Sequence, residues 1–135
     1  MIRLKMKGYL HLYTEDVKRS KKFYHDVGFI ILEDYSNEQG FCVQISKDTF
    51  IMILEKSHFQ FFHPNLSLAK LDTHSSFFSL EVESKEEVDQ LIEKVVKHGG
   101  METDHAVDDE WVYYRSYKDI DMHQFEVFIF KSNLK

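Results

Sequence analysis

Tyr9-Leu10-His11-Leu12-Tyr13-Thr14-Glu15-Asp16 and, further along, Phe77-Phe78-Ser79-Leu80-Glu81-Val82-Glu83-Ser84 are the stretches whose reading decides the fold. Each opens as a period-two strand and then changes to helical spacing. After Asp16 the residues Val17, Ser20, Tyr24 and Val27 recur on one helical face, with Asp16 as N-cap and Gly28 as the stop. After Ser84, the run Ser84-Lys85-Glu86-Glu87 is a capping box ahead of Val88, Leu91 and Val95, and Gly99-Gly100 ends the helix. Both caps lie seven residues beyond the first aromatic, Tyr9 or Phe77, so the segments align without a gap.

Working outward, strand-like segments follow each helix: about 29–35, 40–46 and 49–56, then 101–106, 110–117 and 123–131. The halves also end alike, Phe50 to Ser57 matching Phe125 to Ser132 with Phe first and Lys-Ser last. The chain therefore reads as a duplicated βαβββ unit, a period too long for a solenoid. The expectation is one domain over residues 1–135, with module 1 at about 6–57, a linker at 58–75 and module 2 at 76–132. That linker holds the only proline, Pro64, and a helical candidate through Leu66, Leu68 and Leu71. Its Phe59, Phe61 and Phe62 are too apolar for a solvated tether and are expected to pack on the sheet or on a partner chain.

A chain of 135 residues has room for one core, and twenty aromatics supply more apolar surface than a centre requires. With 17 basic against 23 acidic side chains and no basic stripe, neither nucleic acid nor an anionic membrane is an expected partner. Cys42 is the only cysteine, which excludes an internal disulfide and a CxxC site and reads as a buried structural residue. The opening residues alternate charge and apolar character, unlike a signal peptide, and no apolar run reaches membrane-spanning length, so the expected location is cytoplasmic.

Alternation also assigns faces. Leu10 and Leu12 belong under the first helix, as do Phe78, Leu80 and Val82 under the second; Tyr9, His11 and Tyr13, and Phe77, Ser79 and Glu81, then point the other way. On the last strand Phe125 and Val127 go to the helix, leaving Glu126, Phe128 and Phe130 opposite, and the repeat makes Ile51 the counterpart of Glu126. If the two half-sheets form one cupped sheet with the helices outside, Tyr9, Ile51, Phe77 and Glu126 become equivalent floor positions.

The opening through Phe29, the central Ser84-Lys-Glu-Glu-Val-Asp89 and the ending Asp119-Ile-Asp121-Met-His123-Gln-Phe-Glu126 resemble the vicinal oxygen chelate superfamily of glyoxalases, bleomycin or fosfomycin resistance proteins and extradiol dioxygenases. The likeness is nearest to an uncharacterised bacterial branch that is lactoylglutathione-lyase-like. It implies an α+β fold of two tandem βαβββ modules, a homodimer, and a divalent metal held by His, His and Glu at three floor positions. Those positions are Tyr9, Phe77 and Glu126 here, and neither a phenyl ring nor a neutral phenol suits a divalent ion. No metal or other cofactor is therefore expected; if an ion is held, Glu126 and His11 would anchor it. The Pro and Gly of the family's closing motif are replaced by Ile120 and Met122, which puts the turn before Glu126 in question.

Glu126 is the candidate catalytic residue, a carboxylate among aromatics suited to general acid or base work, or else one paired to Arg115 or His11. Tyr9, His11, Phe77, Trp111, Tyr113 and Arg115 are the candidate substrate-binding residues; the last group offers two rings and a guanidinium to a planar or anionic ligand. Three function classes stay open: a protein binding a small organic ligand, a metal-dependent or Glu126-dependent lyase, isomerase or dioxygenase, and an interaction domain whose cup its own aromatics fill.

Overall fold

The computed structural model describes residues 4–66 and 76–134 and divides into two compact units, Met1–Ser67 and Leu68–Lys135. In the first, β1 (Gly8–Thr14) leads into α1 (Val17–Val27), followed by β2 (Ile30–Asn37), β3 (Gly40–Ser46) and β4 (Thr49–Glu55). Asp16 caps α1 by accepting the Arg19 N–H, and Gly28 closes it at φ 114°, a left-handed conformation natural to glycine. The sheet order is β1-β4-β3-β2, with β1 parallel to β4 and the other pairs antiparallel.

The second unit repeats this plan with β5 (Phe78–Glu81), α3 (Lys85–Lys97), β6 (Met101–Glu102), β7 (Val107–Asp108), β8 (Val112–Lys118) and β9 (Gln124–Phe130). Ser84 caps α3 through the Glu87 N–H. The order is β5-β9-β8-β6, with β7 also on β8 and β5 parallel to β9. The α+β class and the βαβββ plan are thus as read from the sequence. The segment expected as one strand over 101–106 is reduced to the two residues of β6, with the separate β7 beyond it. Strand β8 begins at Val112, because the Asp109 carboxylate takes the N–H groups of Trp111 and Val112 into a turn.

A further helix, α2 (Lys56–Phe62), follows β4 directly where the sequence reading began a linker. Glu55 accepts the backbone N–H and the hydroxyl of Ser57 and so starts the helix at that point. Leu68 and Leu71 of the expected helical segment lie outside the described residues. Phe59 is buried against Tyr13, whereas Phe61 and Phe62 are exposed. Among the described residues no helix is long and apolar enough to cross a membrane.

Each sheet carries its helix on one face. In the first unit Phe23, Tyr24 and Val27 of α1 pack toward Phe41, Val43, Ile51 and Ile53, all buried, with the Tyr24 and Phe41 rings 6.0 Å apart. In the second, Val88, Ile92 and Val95 cover Leu80, Phe125, Val127 and Ile129, and Tyr117 stacks on Phe125 at 5.2 Å. Full burial of one such side chain contributes about 1.5–3 kcal/mol.

The turn before β9 is held by Asp119. Asp119 Oδ1 accepts the N–H groups of Asp121 and His123, and Met122 takes φ 69°. Holding an L-residue there costs about 1–2 kcal/mol, which the Asp119 contacts offset.

Two substitutions test these assignments in urea titrations. Ile53→Ala is expected to lower the unfolding free energy by about 2–5 kcal/mol. Met122→Gly should leave stability unchanged or raise it by up to about 1 kcal/mol, against the loss of about 0.5–1 kcal/mol usual for glycine.

Candidate functional site

Residues opposite one another in neighbouring strands share a face, so the register divides the first sheet. Leu10, Leu12, Ile51 and Ile53 fall with Phe41 and Val43 on the α1 side; Tyr9, His11, Phe50, Met52, Cys42 and Gln44 fall on the other. A pocket of about 660 Å³ opens on this second face. Leu32, Cys42, Phe50 and Met52 give it an apolar base, and Lys7, Asp34, Gln44 and Lys47 are among its polar lining.

Tyr9 and His11 both line the pocket. The Tyr9 ring, 52% exposed, lies flat on Phe50 with centroids 4.8 Å apart and planes within 15°. His11 Nδ1 stands 3.1 Å from Nε2 of His63, the residue that ends α2. One imidazole must donate and the other accept, and both desolvation and the neighbouring His63 lower the His11 pKa. Cys42 is buried and is also part of the pocket lining; burial pushes its thiol pKa up, so it stays protonated and unreactive.

The second sheet is offset from the expected equivalence by one position. Leu10 pairs with Ile51 and Phe78 with Phe125, so Ile51 corresponds to Phe125 and the counterpart of Glu126 is Met52. Ile51 is fully buried on the helix side. The Phe50/Phe125 match at the strand starts was a coincidence of residue type; the hydrogen-bonded register overrides it. Glu126 does lie on the face away from α3, where the Ser79 hydroxyl donates to its carboxylate at 2.7 Å. Phe77 is exposed and precedes β5.

Tyr113 and Arg115 do share a face, but it is the helix face, because they pair with Ile129 and Val127. The Arg115 guanidinium grips Glu102 through Nε and Nη2, both at 2.8 Å, and reaches Asp89 of α3 at 2.8 Å. The Tyr113 hydroxyl donates to the same Asp89 oxygen at 2.6 Å. These bonds hold the Asp89 and Glu102 carboxyls below the usual range, chiefly through Tyr113 for Asp89 and Arg115 for Glu102, and raise Arg115 further. Both side chains thus anchor α3 to its sheet instead of offering a ligand surface with Trp111, which is 72% exposed ahead of β8.

The residues present do not fit the three-donor metal site that the resemblance implies. Tyr9 is stacked on Phe50, Phe77 has no donor atom, and among the described residues no three His, Cys, Asp or Glu side chains form a group able to hold an ion.

A family model described as the Glyoxalase/Bleomycin resistance protein/Dioxygenase superfamily matches residues 8–127. Among solved structures, the hypothetical protein SA1046 from S. aureus is 27% identical at a TM-score of 0.77, with 96% of this chain and 95% of that one covered. A glyoxalase/bleomycin resistance protein/dioxygenase family enzyme from Burkholderia phytofirmans PsJN is 17% identical at 0.76, covering 90% and 95%. The fosfomycin resistance protein FosX from Mesorhizobium loti is 16% identical at 0.63, covering 96% and 93%. No curated protein matches.

Arg115→Met is expected to lower stability by about 1–2 kcal/mol, a figure already reduced for solvent screening. The native carboxyl pKa values are depressed, so the stability they add is full above the unfolded range near pH 4 and falls as the pH drops through the native values. The variant should therefore lose less on acidification than the parent, as thermal melts across pH will show.

Proposed function

Because the chain belongs to the Glyoxalase/Bleomycin resistance protein/Dioxygenase superfamily, we propose that it binds a small, partly aromatic organic molecule on the open face of the first sheet, without the three-ligand metal site implied by the resemblance. One observation carries this reading: where a metal-ligating histidine is expected, Tyr9 lies stacked on Phe50 at the edge of a pocket large enough for a drug-sized ligand. The lining supports it. Stacked rings, the Met52 thioether and Leu32 give an adaptable apolar bed, while Gln44, Asp34 and His11 are set to orient polar groups. A cytoplasmic location and a homodimer belong to the same reading, and light scattering on the purified protein tests the second.

Ser79 and Glu126 favour a second reading, as an enzyme of the lyase, isomerase or dioxygenase type. Glu126 has a defined orientation on the face away from α3, held by the neutral hydroxyl of Ser79. A carboxylate so placed can take a proton from a substrate while Ser79 steadies its other state. Glu126→Gln would then abolish turnover.

Metal analysis of untagged protein purified without chelator is expected to find no stoichiometric divalent ion. A ligand of the pocket at a hundred times its Kd should stabilise the protein by about 2.7 kcal/mol. Met52→Trp, which fills the pocket base, should abolish that stabilisation, whereas Glu126→Gln should leave it intact. Stoichiometric metal, or a stabilisation lost in Glu126→Gln and kept in Met52→Trp, would overturn the reading.

A further inference from the structure

The pocket is polarised along its length. The Gly8 N–H donates to the carbonyl of Asp48 at 2.8 Å, and Gly8 pairs with Thr49. Lys7 precedes Gly8 and Lys47 precedes Asp48, so both lysines belong to the same end of the lining. Neither has a carboxylate partner among the described residues. Lys7 Nζ instead lies 5.8 Å from the centre of the Phe50 ring, at the start of the apolar base. The next open-face residue on β4 is Met52, level with Cys42 and His11, and Asp34 lines the part reached by β2 beyond Leu32. Two cationic side chains at one end of the pocket, without a neutralising carboxylate among the described residues, favour a negatively charged group there.

We infer that the ligand of this pocket is an organic anion, a carboxylate joined to a compact aryl body, with its charge at Lys7 and Lys47 and its body over Phe50 and Met52. The inference rests on the pocket reading above and adds the ligand's chemical class. Ammonium groups on flexible stems act as point charges, so they select for negative charge without demanding the planar, two-pronged shape an arginine would. Two to three residues of strand separate the lysine end from the Met52 row, about 7–10 Å, which suits a body of one or two fused rings. Asp34, at the far end, disfavours a second negative group there.

The test uses a matched pair of probes, naphthoate and its neutral isostere naphthamide, titrated calorimetrically into the full chain. Naphthoate is expected to bind at least about tenfold more tightly, near 1.4 kcal/mol, and the margin should shrink in high salt. In Lys7→Gln/Lys47→Gln, whose changes are at exposed positions, the margin between the two probes should fall below about twofold. Equal binding of the two probes by the parent, or a margin that persists in the double variant, overturns the anion inference and leaves the pocket reading standing. Binding of neither probe, with Met52→Trp indistinguishable from the parent, overturns the pocket reading itself.

Discussion

A strand has two sides and a helix can cover only one of them, and this constraint organises both units. Once α1 and α3 are capped at Asp16 and Ser84, the apolar stripe of each helix must be buried. Ile51, Ile53, Val127 and Ile129 supply the surface that buries it. The alternate positions face away from that helix, and several of them, among them Tyr9 and Glu126, stay accessible. Tyr9, His11 and Met52 in one sheet, and Ser79 and Glu126 in the other, are functional candidates because they point away from the helix that closes the core.

Local signals in the sequence were sufficient for the frame. The caps, the helix lengths, the faces of β1 and β5 and the duplication all depend on neighbours within a few residues, where side-chain spacing and backbone geometry are tightly linked. What failed was relational. The Phe50/Phe125 likeness misaligned the last strands by one residue, and a one-residue slip exchanges the two faces. Only the parallel pairing of β1 with β4 and of β5 with β9 reveals that Met52, not Ile51, answers Glu126.

The site residues divide on the same principle. Tyr9 and His11 were legible because their own strand sets their direction. Arg115 and Tyr113 were correctly grouped on one face, yet the choice between helix and open side depended on Asp89 and Glu102, which lie 26 and 13 residues away. His63 carries no local signal of a role, because its partner His11 is 52 positions distant. Cys42 read as a buried structural residue, and no spacing rule distinguishes an apolar pocket base such as Phe50, Met52 and Cys42 from a packed centre.

The Tyr9–Phe50 stack has an evolutionary consequence. A metal site is a threshold device: losing one donor usually loses the ion and everything built upon it. Two rings lying flat on one another are a graded device, since changes of one methylene or one ring edge move ligand preference by small steps. A lineage that places a ring stack at this position can drift between ligands without passing through an inactive intermediate. On the ligand-binding reading proposed for it, the first unit's open face has that latitude, while Arg115 and its two carboxylates keep the second unit's helix where it is.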